Sequence, residues 1–131
     1  MSYSSVLNAT LAFKAPGNVA VNAALAATAP YNAMVTGTID IPATTLSAVS
    51  FPMSFGSIAS PTALAVSNSN IYEMSIYPQG LSGGQFHIAP GGVLILAQPL
   101  SCNSLPMSAC SVVTTTTQVS AGSVDYWVWG D

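Results

Sequence analysis

Apolar and polar residues alternate along much of this chain with a period of two, and no long stretch keeps the 3.6-residue spacing of an amphipathic helix. Thr36–Ile41 alternates before Pro42 stops it. Ala48–Phe55 follows, with Val49, Phe51, Met53 and Phe55 on one face and Ser50 and Ser54 on the other. Pro52 interrupts the outward side, which marks an edge strand or a bulge. Ala63–Ser67 is a short apolar strand ended by the turn former Asn68-Ser69-Asn70. Ile71–Tyr77 places Tyr72, Met74 and Ile76 together, and Gln85–Ile88, Val93–Ala97, Ser111–Gln118 and Ser123–Trp129 complete the strand series. Gly, Pro and Asn clusters separate these runs at intervals of about 8–12 residues, the rhythm of a β-sandwich or barrel.

The first 35 residues have a weaker pattern. Val6–Phe13 reads as a strand. Val19–Ala29 is alanine-rich and helical by propensity, but Val19, Val21 and Thr28 favour an extended arm. The expectation is an all-β protein, a single antiparallel β-sandwich (jelly-roll-like) with an extended amino-terminal arm. It forms one domain, 1–131, in which residues 1–35 are an arm or a swapped strand.

Charge narrows the function classes. Only Lys14, Asp40, Glu73, Asp125 and Asp131 carry a formal charge, and there is no arginine. Nucleic-acid binding needs clustered cations to displace phosphate counterions, and a membrane-surface anchor needs a polybasic segment. The sequence has neither, so no nucleic-acid or membrane partner is expected. The most apolar run in the charge-poor second half, Val93–Ala97, is far too short to span a bilayer as a helix. Lys14 followed by Val19–Ala29 imitates a signal peptide, but Asn22 interrupts it and Pro30 follows the would-be cleavage site, so none is expected.

The catalytic inventory is thin. His87 is the one imidazole, and a base there would need an orienting carboxylate from Asp40, Glu73, Asp125 or Asp131. Asp40, Glu73 and Asp125 fall on three separate strands, with nothing in the sequence to bring them together as a glycosidase pair. No nucleophile elbow or phosphate loop is present. No catalytic residue, cofactor or metal site is expected. Cys102 and Cys110 are either a disulfide pinning their short loop or two half-buried thiols.

The most distinctive local feature is Tyr126-Trp127-Val128-Trp129, where alternation sets Trp127 and Trp129 against Tyr126 and Val128. One face is core. The other is covered by the amino-terminal arm, anchors a protein interface, or stacks on sugar rings. Tyr126, Trp127, Trp129, Tyr72 and Tyr77 are the candidate interface residues. Outward positions are filled by serine, threonine, alanine and asparagine, a surface that gives little repulsion between copies and desolvates at lower cost than a charged one. Packing of many copies side by side tolerates that composition.

Six short pieces carry a resemblance. They are Ile39-Asp40-Ile41-Pro42, Phe55-Gly56-Ser57-Ile58, Val66-Ser67-Asn68, Ala89–Leu96, Val112–Thr117 and Val124–Gly130. Together they make Ile39–Asp131 resemble the small all-β virion proteins of tailed bacteriophages. The resemblance implies a jelly-roll-like sandwich serving as a head decoration (cement), head fibre or tail component, without catalytic residues. It implies a virion location after synthesis in the host cytoplasm. Its partners would be the major capsid protein or other virion proteins, and it would be a homo-oligomer, with a trimer favoured. Two other readings stand beside it: a tail- or fibre-associated host- or glycan-binding module using Tyr72, Tyr77 and Trp127, and a self-assembling filament or surface-layer subunit.

Overall fold

The computed structural model describes residues 3–15, 19–79, 85–97, 107 and 109–131, giving the backbone course alone up to residue 30 and side chains from 31 onward. Ten strands form, and no helix is present among the described residues. They are β1 (Tyr3–Ala15), β2 (Val19–Tyr31), β3 (Ala33–Ile41), β4 (Ser50–Pro52), β5 (Pro61–Asn68), β6 (Met74–Gln79), β7 (Phe86–Ile88), β8 (Val93–Ala97), β9 (Ala109–Thr114) and β10 (Gly122–Gly130).

From β3 onward the pairing is nested: β3 with β10, β4 with β9, β5 with β8 and β6 with β7, all antiparallel. One long hairpin has in effect been rolled up, and two further ladders, β10 with β5 and β9 with β6, close the roll. The result is two four-stranded sheets, β3-β10-β5-β8 and β4-β9-β6-β7. Eight strands in this interleaved order form a double-sheet jelly roll. The expected all-β, antiparallel, jelly-roll-like sandwich is the fold.

The core lies between the sheets. Ile39, Ile41, Leu64, Val66, Val124, Tyr126 and Val128 enter it from the first sheet, and Met74, Ile76, Ile88, Cys110 and Val112 from the second. Met53, Phe55, Ile58 and Met107 fill it from connecting segments.

Three details depart from the pattern-based expectation. The strand expected over Ala48–Phe55 shrinks to Ser50–Pro52, an edge strand on which Pro52 takes a non-bonded position while Met53 N still donates to Cys110 O at 2.9 Å; Phe51, Met53 and Phe55 still turn inward while Val49 does not. The threonine-rich strand stops at Thr114, and Gln118 is buried beyond it. The alanine-rich segment is fully extended: β1 and β2 form a hairpin in register from Tyr3↔Tyr31 to Ala15↔Val19.

Candidate functional site: an apolar sheet face and a loop tip

β10 is the central strand of the first sheet, paired on both sides along its length. Its valines and aromatics suit a pleated, half-buried position, and its burial alternates strictly from Val124 onward. Tyr126 points inward. Its hydroxyl accepts a hydrogen bond from Ser54 N at 3.0 Å, and its ring fills the space opposite Gly37, where a Cβ would come within 2.5 Å of it. Tyr126 is therefore core, and its candidacy as an interface residue is corrected: the missing side chain at Gly37 admits the ring.

Trp127 and Trp129 point outward, half-buried. The register arranges the outer face in rows across the sheet: Met34, Trp129, Ala63, Ala97; then Thr36, Trp127, Ala65, Ile95; then Thr38, Asp125, Ser67, Val93. Two rows are almost wholly apolar. The third holds Asp125, whose carboxylate accepts a hydrogen bond from Thr38 Oγ1 at 2.6 Å. β2 comes close to β10, β5 and β8, yet Met34, Ile95 and Val93 remain 53%, 42% and 61% exposed.

A second apolar surface lies at the end of the sandwich where β3, β5 and β9 finish. Leu46, Ile71 and Val119 stand 65%, 67% and 78% exposed on three different connecting loops. Those loops are tied together beneath the exposed residues. Thr44 N donates to Gln118 O and Gln118 N to Thr45 O, both at 2.7 Å. Val119 N donates to the Tyr72 hydroxyl at 3.0 Å, and the buried Asn70 amide donates to Gln118 Oε1 at 2.9 Å. Asn68 adds a link between the sheets, its amide nitrogen lying 2.9 Å from Tyr72 O and 3.0 Å from Ile88 O. Thr44 and Ala48 hold φ values of 67° and 61°, a region that is costly for a β-branched residue. Ala48 N donates to Thr114 O at 2.7 Å, holding that turn. The tip is thus a rigid mount for apolar side chains. Sequence reading missed it: each apolar residue is isolated in its loop, and long-range hydrogen bonds bring the loops together.

The remaining candidates are dispersed. Tyr72 is half-buried at the tip, its hydroxyl engaged by Val119. Tyr77 lies on the outer face of the second sheet, opposite the face that carries Trp127. Tyr72, Tyr77 and Trp127 do not converge on one stacking platform. Cys110 is a buried, free thiol, and burial pushes its pKa up to about 12, so it stays neutral and unreactive; Cys102 lies outside the described residues.

His87 does have a carboxylate. Its Nδ1 lies 3.0 Å from Glu73 Oε1 and 3.1 Å from Ser75 Oγ, and its Nε2 lies 2.8 Å from Gln85 Nε2. The Gln85 amide nitrogen can only donate, so with that nitrogen facing the ring Nε2 accepts and the proton sits on Nδ1. Hydroxyl and carboxylate share that one nitrogen. A serine nucleophile needs the imidazole between it and the carboxylate, and here it is not. Glu73 also belongs to the second sheet's side, while Asp40 and Asp125 sit on the first sheet's outer face. The three carboxylates therefore do not converge, although Asp40 and Asp125 are diagonal neighbours on adjacent strands of one face, Asp125 pairing with Thr38 and Asp40 with Ser123. No cluster of three or more His, Cys, Asp or Glu suited to a metal occurs among the described residues.

Fold and surface together define a jelly-roll sandwich with two charge-poor apolar surfaces. No family model matches the chain, and no curated protein does. Among solved structures it is similar to the cupin domain of Schizosaccharomyces pombe Cnp3, at 10% identity and a TM-score of 0.43, covering 95% of this chain and 88% of that one. A likeness of that size assigns no chemistry, and the topology rests on the strand pairing.

Proposed function

We propose that this chain is a non-enzymatic virion structural protein, most favourably a capsid decoration (cement) subunit that stabilises a phage shell. The observation that carries the reading is the outer face of the first sheet. Trp127, Trp129, Met34, Ile95 and Val93 are laid out on one sheet face, with a single carboxylate at one margin of those rows. Interface centres are enriched in Trp and Met and depleted in Lys, Glu and Asp. Jelly rolls occur in viral capsid proteins as well as in lectins and cupins, so the fold is compatible with the reading without deciding it. The mechanism is mechanical. Each copy buries a charge-poor face against neighbouring protein, and repetition over a shell turns modest contacts into high avidity.

The test is particle composition. Virus particles from cells that make this chain are banded by density and probed by mass spectrometry and by immunogold labelling against the chain. The expected result is a fixed ratio of the chain to the major shell protein, with gold on the heads. Gold confined to tails or fibres would transfer the reading to a tail-associated binding module. Absence from the particles would overturn both.

A further inference from the structure

The β1–β2 hairpin pairs with no strand of the jelly roll, although β2 lies close to β10, β5 and β8. It forms its own two-stranded sheet and leaves the body through one residue, Asn32, whose N–H donates to Gly130 O at 3.0 Å. Each hairpin strand has 13 residues, against 9 in the longest strands of the body. At about 3.4 Å per residue the hairpin extends roughly 44 Å and outruns the sheet beside it. An isolated two-stranded hairpin is at best marginally stable in water, so it needs a surface.

Its register is amphipathic. Pairing of Leu7 with Ala27, Ala9 with Leu25, Leu11 with Ala23 and Phe13 with Val21 sets these residues on one face. The intervening pairs, Asn8 with Ala26, Thr10 with Ala24, Ala12 with Asn22 and Lys14 with Ala20, share the other. An apolar hairpin face and an apolar sheet face thus occur in one chain. Within the chain they are not fully matched, because Met34, Ile95 and Val93 stay exposed although β2 passes close to β10, β5 and β8.

We infer that the hairpin is an exchange arm: the hairpin of one copy seats its apolar face on the Met34–Trp129 and Trp127–Ile95 rows of a second copy. This rests on the reading above in one respect, that the face is an assembly surface, and it names the occupant. The area fits. The longest strands of the receiving sheet have nine residues and run about 31 Å, so a seated hairpin face two strands wide covers about 300 Å². Counting both surfaces, two reciprocal seatings bury about 1,200 Å², the lower end of a specific interface. Exchange of an identical element between copies is a low-cost route to closed oligomers. The loop tip lies at the other end of β10 from Asn32 and stays free for other contacts.

The experiment is light scattering on the full chain over a hundredfold concentration range, for wild type and for Ile95→Asp, Met34→Asp and Leu25→Asp. The first two charge exposed positions of the receiving face, and the third charges the hairpin's apolar face. Wild type should have a mass that is a small whole multiple of the chain. Each variant should dissociate, with the apparent Kd raised about 30-fold, as for loss of a central anchor. Mixing Ile95→Asp with Leu25→Asp should recover a hetero-pair, since the intact hairpin of one variant meets the intact face of the other.

A monomeric wild type overturns the inference. So does a Leu25→Asp chain that remains fully oligomeric, because face-to-face packing needs no hairpin. If a face variant loses the thermal transition of the sandwich, Thr36→Asp, exposed in the same row as Trp127, takes its place. Particle composition is read separately. A monomeric chain found on particles overturns exchange alone, and an exchanging chain absent from particles overturns the virion reading alone.

Discussion

The two outer faces of the sandwich are built by the same rule and come out differently. Both belong to four-stranded antiparallel sheets, and both back onto one shared core. On the first sheet the outward positions are Met34, Trp129, Ala63, Ala97, Trp127, Ala65, Ile95 and Val93, beside Thr36, Thr38, Asp40, Ser67, Ser123 and Asp125. On the second they are Ser50, Pro52, Ala109, Ser111, Val113, Ser75, Tyr77, Gln79 and His87. A jelly roll needs neither set. Its stability comes from the inward residues, and a polar outer face suffices for folding in water. The apolar outer face is therefore a property the fold does not require, and such surfaces mark interaction sites.

The largest expected effects test the premise that both faces share one core. Leu64→Ala in the first sheet and Met74→Ala in the second each truncate a side chain with no solvent exposure. Each should cost about 3 kcal/mol, read as a lowered midpoint of a single urea transition. If Met74→Ala costs under about 1 kcal/mol, the second sheet is loosely packed, and its polar outer face would reflect weak structure.

Next comes the joint between the sheets. Asn68→Ala removes the amide that donates to Tyr72 O and Ile88 O, together with the acceptor for Asn70 N. Stranding those groups should cost about 2–3 kcal/mol. Hydrogen exchange should quicken first in the three tip loops. Unchanged loop protection would show that the tip does not depend on this network.

These two tests also divide what the sequence made legible from what it hid. Val93–Ala97 is a strand with the expected bounds, because glycines and an apolar run delimit it locally. The alternation in β10 was equally visible, but both of its faces carry aromatics. Which face turns inward depends on Gly37, a residue far away in sequence that leaves room for the Tyr126 ring. The tip was hidden for the same reason. Asn68-Ser69-Asn70 reads as a turn, which it is, yet the partner of Asn70 is Gln118, contributed by a segment that reads as strand. Period and turn chemistry report local structure, and the site is made by pairings across the roll.

The outward aromatics come third. Trp127→Ala and Trp129→Ala should each leave the urea midpoint within about 1.5 kcal/mol of wild type, since both rings stand on the outer face and outside the core cluster. Each should weaken assembly about 30-fold, the loss expected of an interfacial tryptophan. Either variant unfolding would make that tryptophan structural and withdraw it from the interface.

The smallest effect belongs to the second face and gives the comparison its control. Glu73 and His87 are 49% and 53% exposed, 3.0 Å apart. An ion pair in that setting is worth about 0–1 kcal/mol, and it is ionic only while His87 is protonated. Glu73→Gln keeps the shape and retains an oxygen that can accept from His87 Nδ1. Its urea midpoint should therefore stay within about 0.5 kcal/mol of wild type, and its mass by light scattering should be unchanged. The value of this variant lies in the charge it removes. With only five formally charged side chains in the chain, each one has a large share in keeping copies apart. If Glu73→Gln raised the oligomer mass, the second face would also be an assembly surface held in check by a single carboxylate. The contrast between the faces would then be one of degree, set by charge on one sheet and by tryptophan on the other.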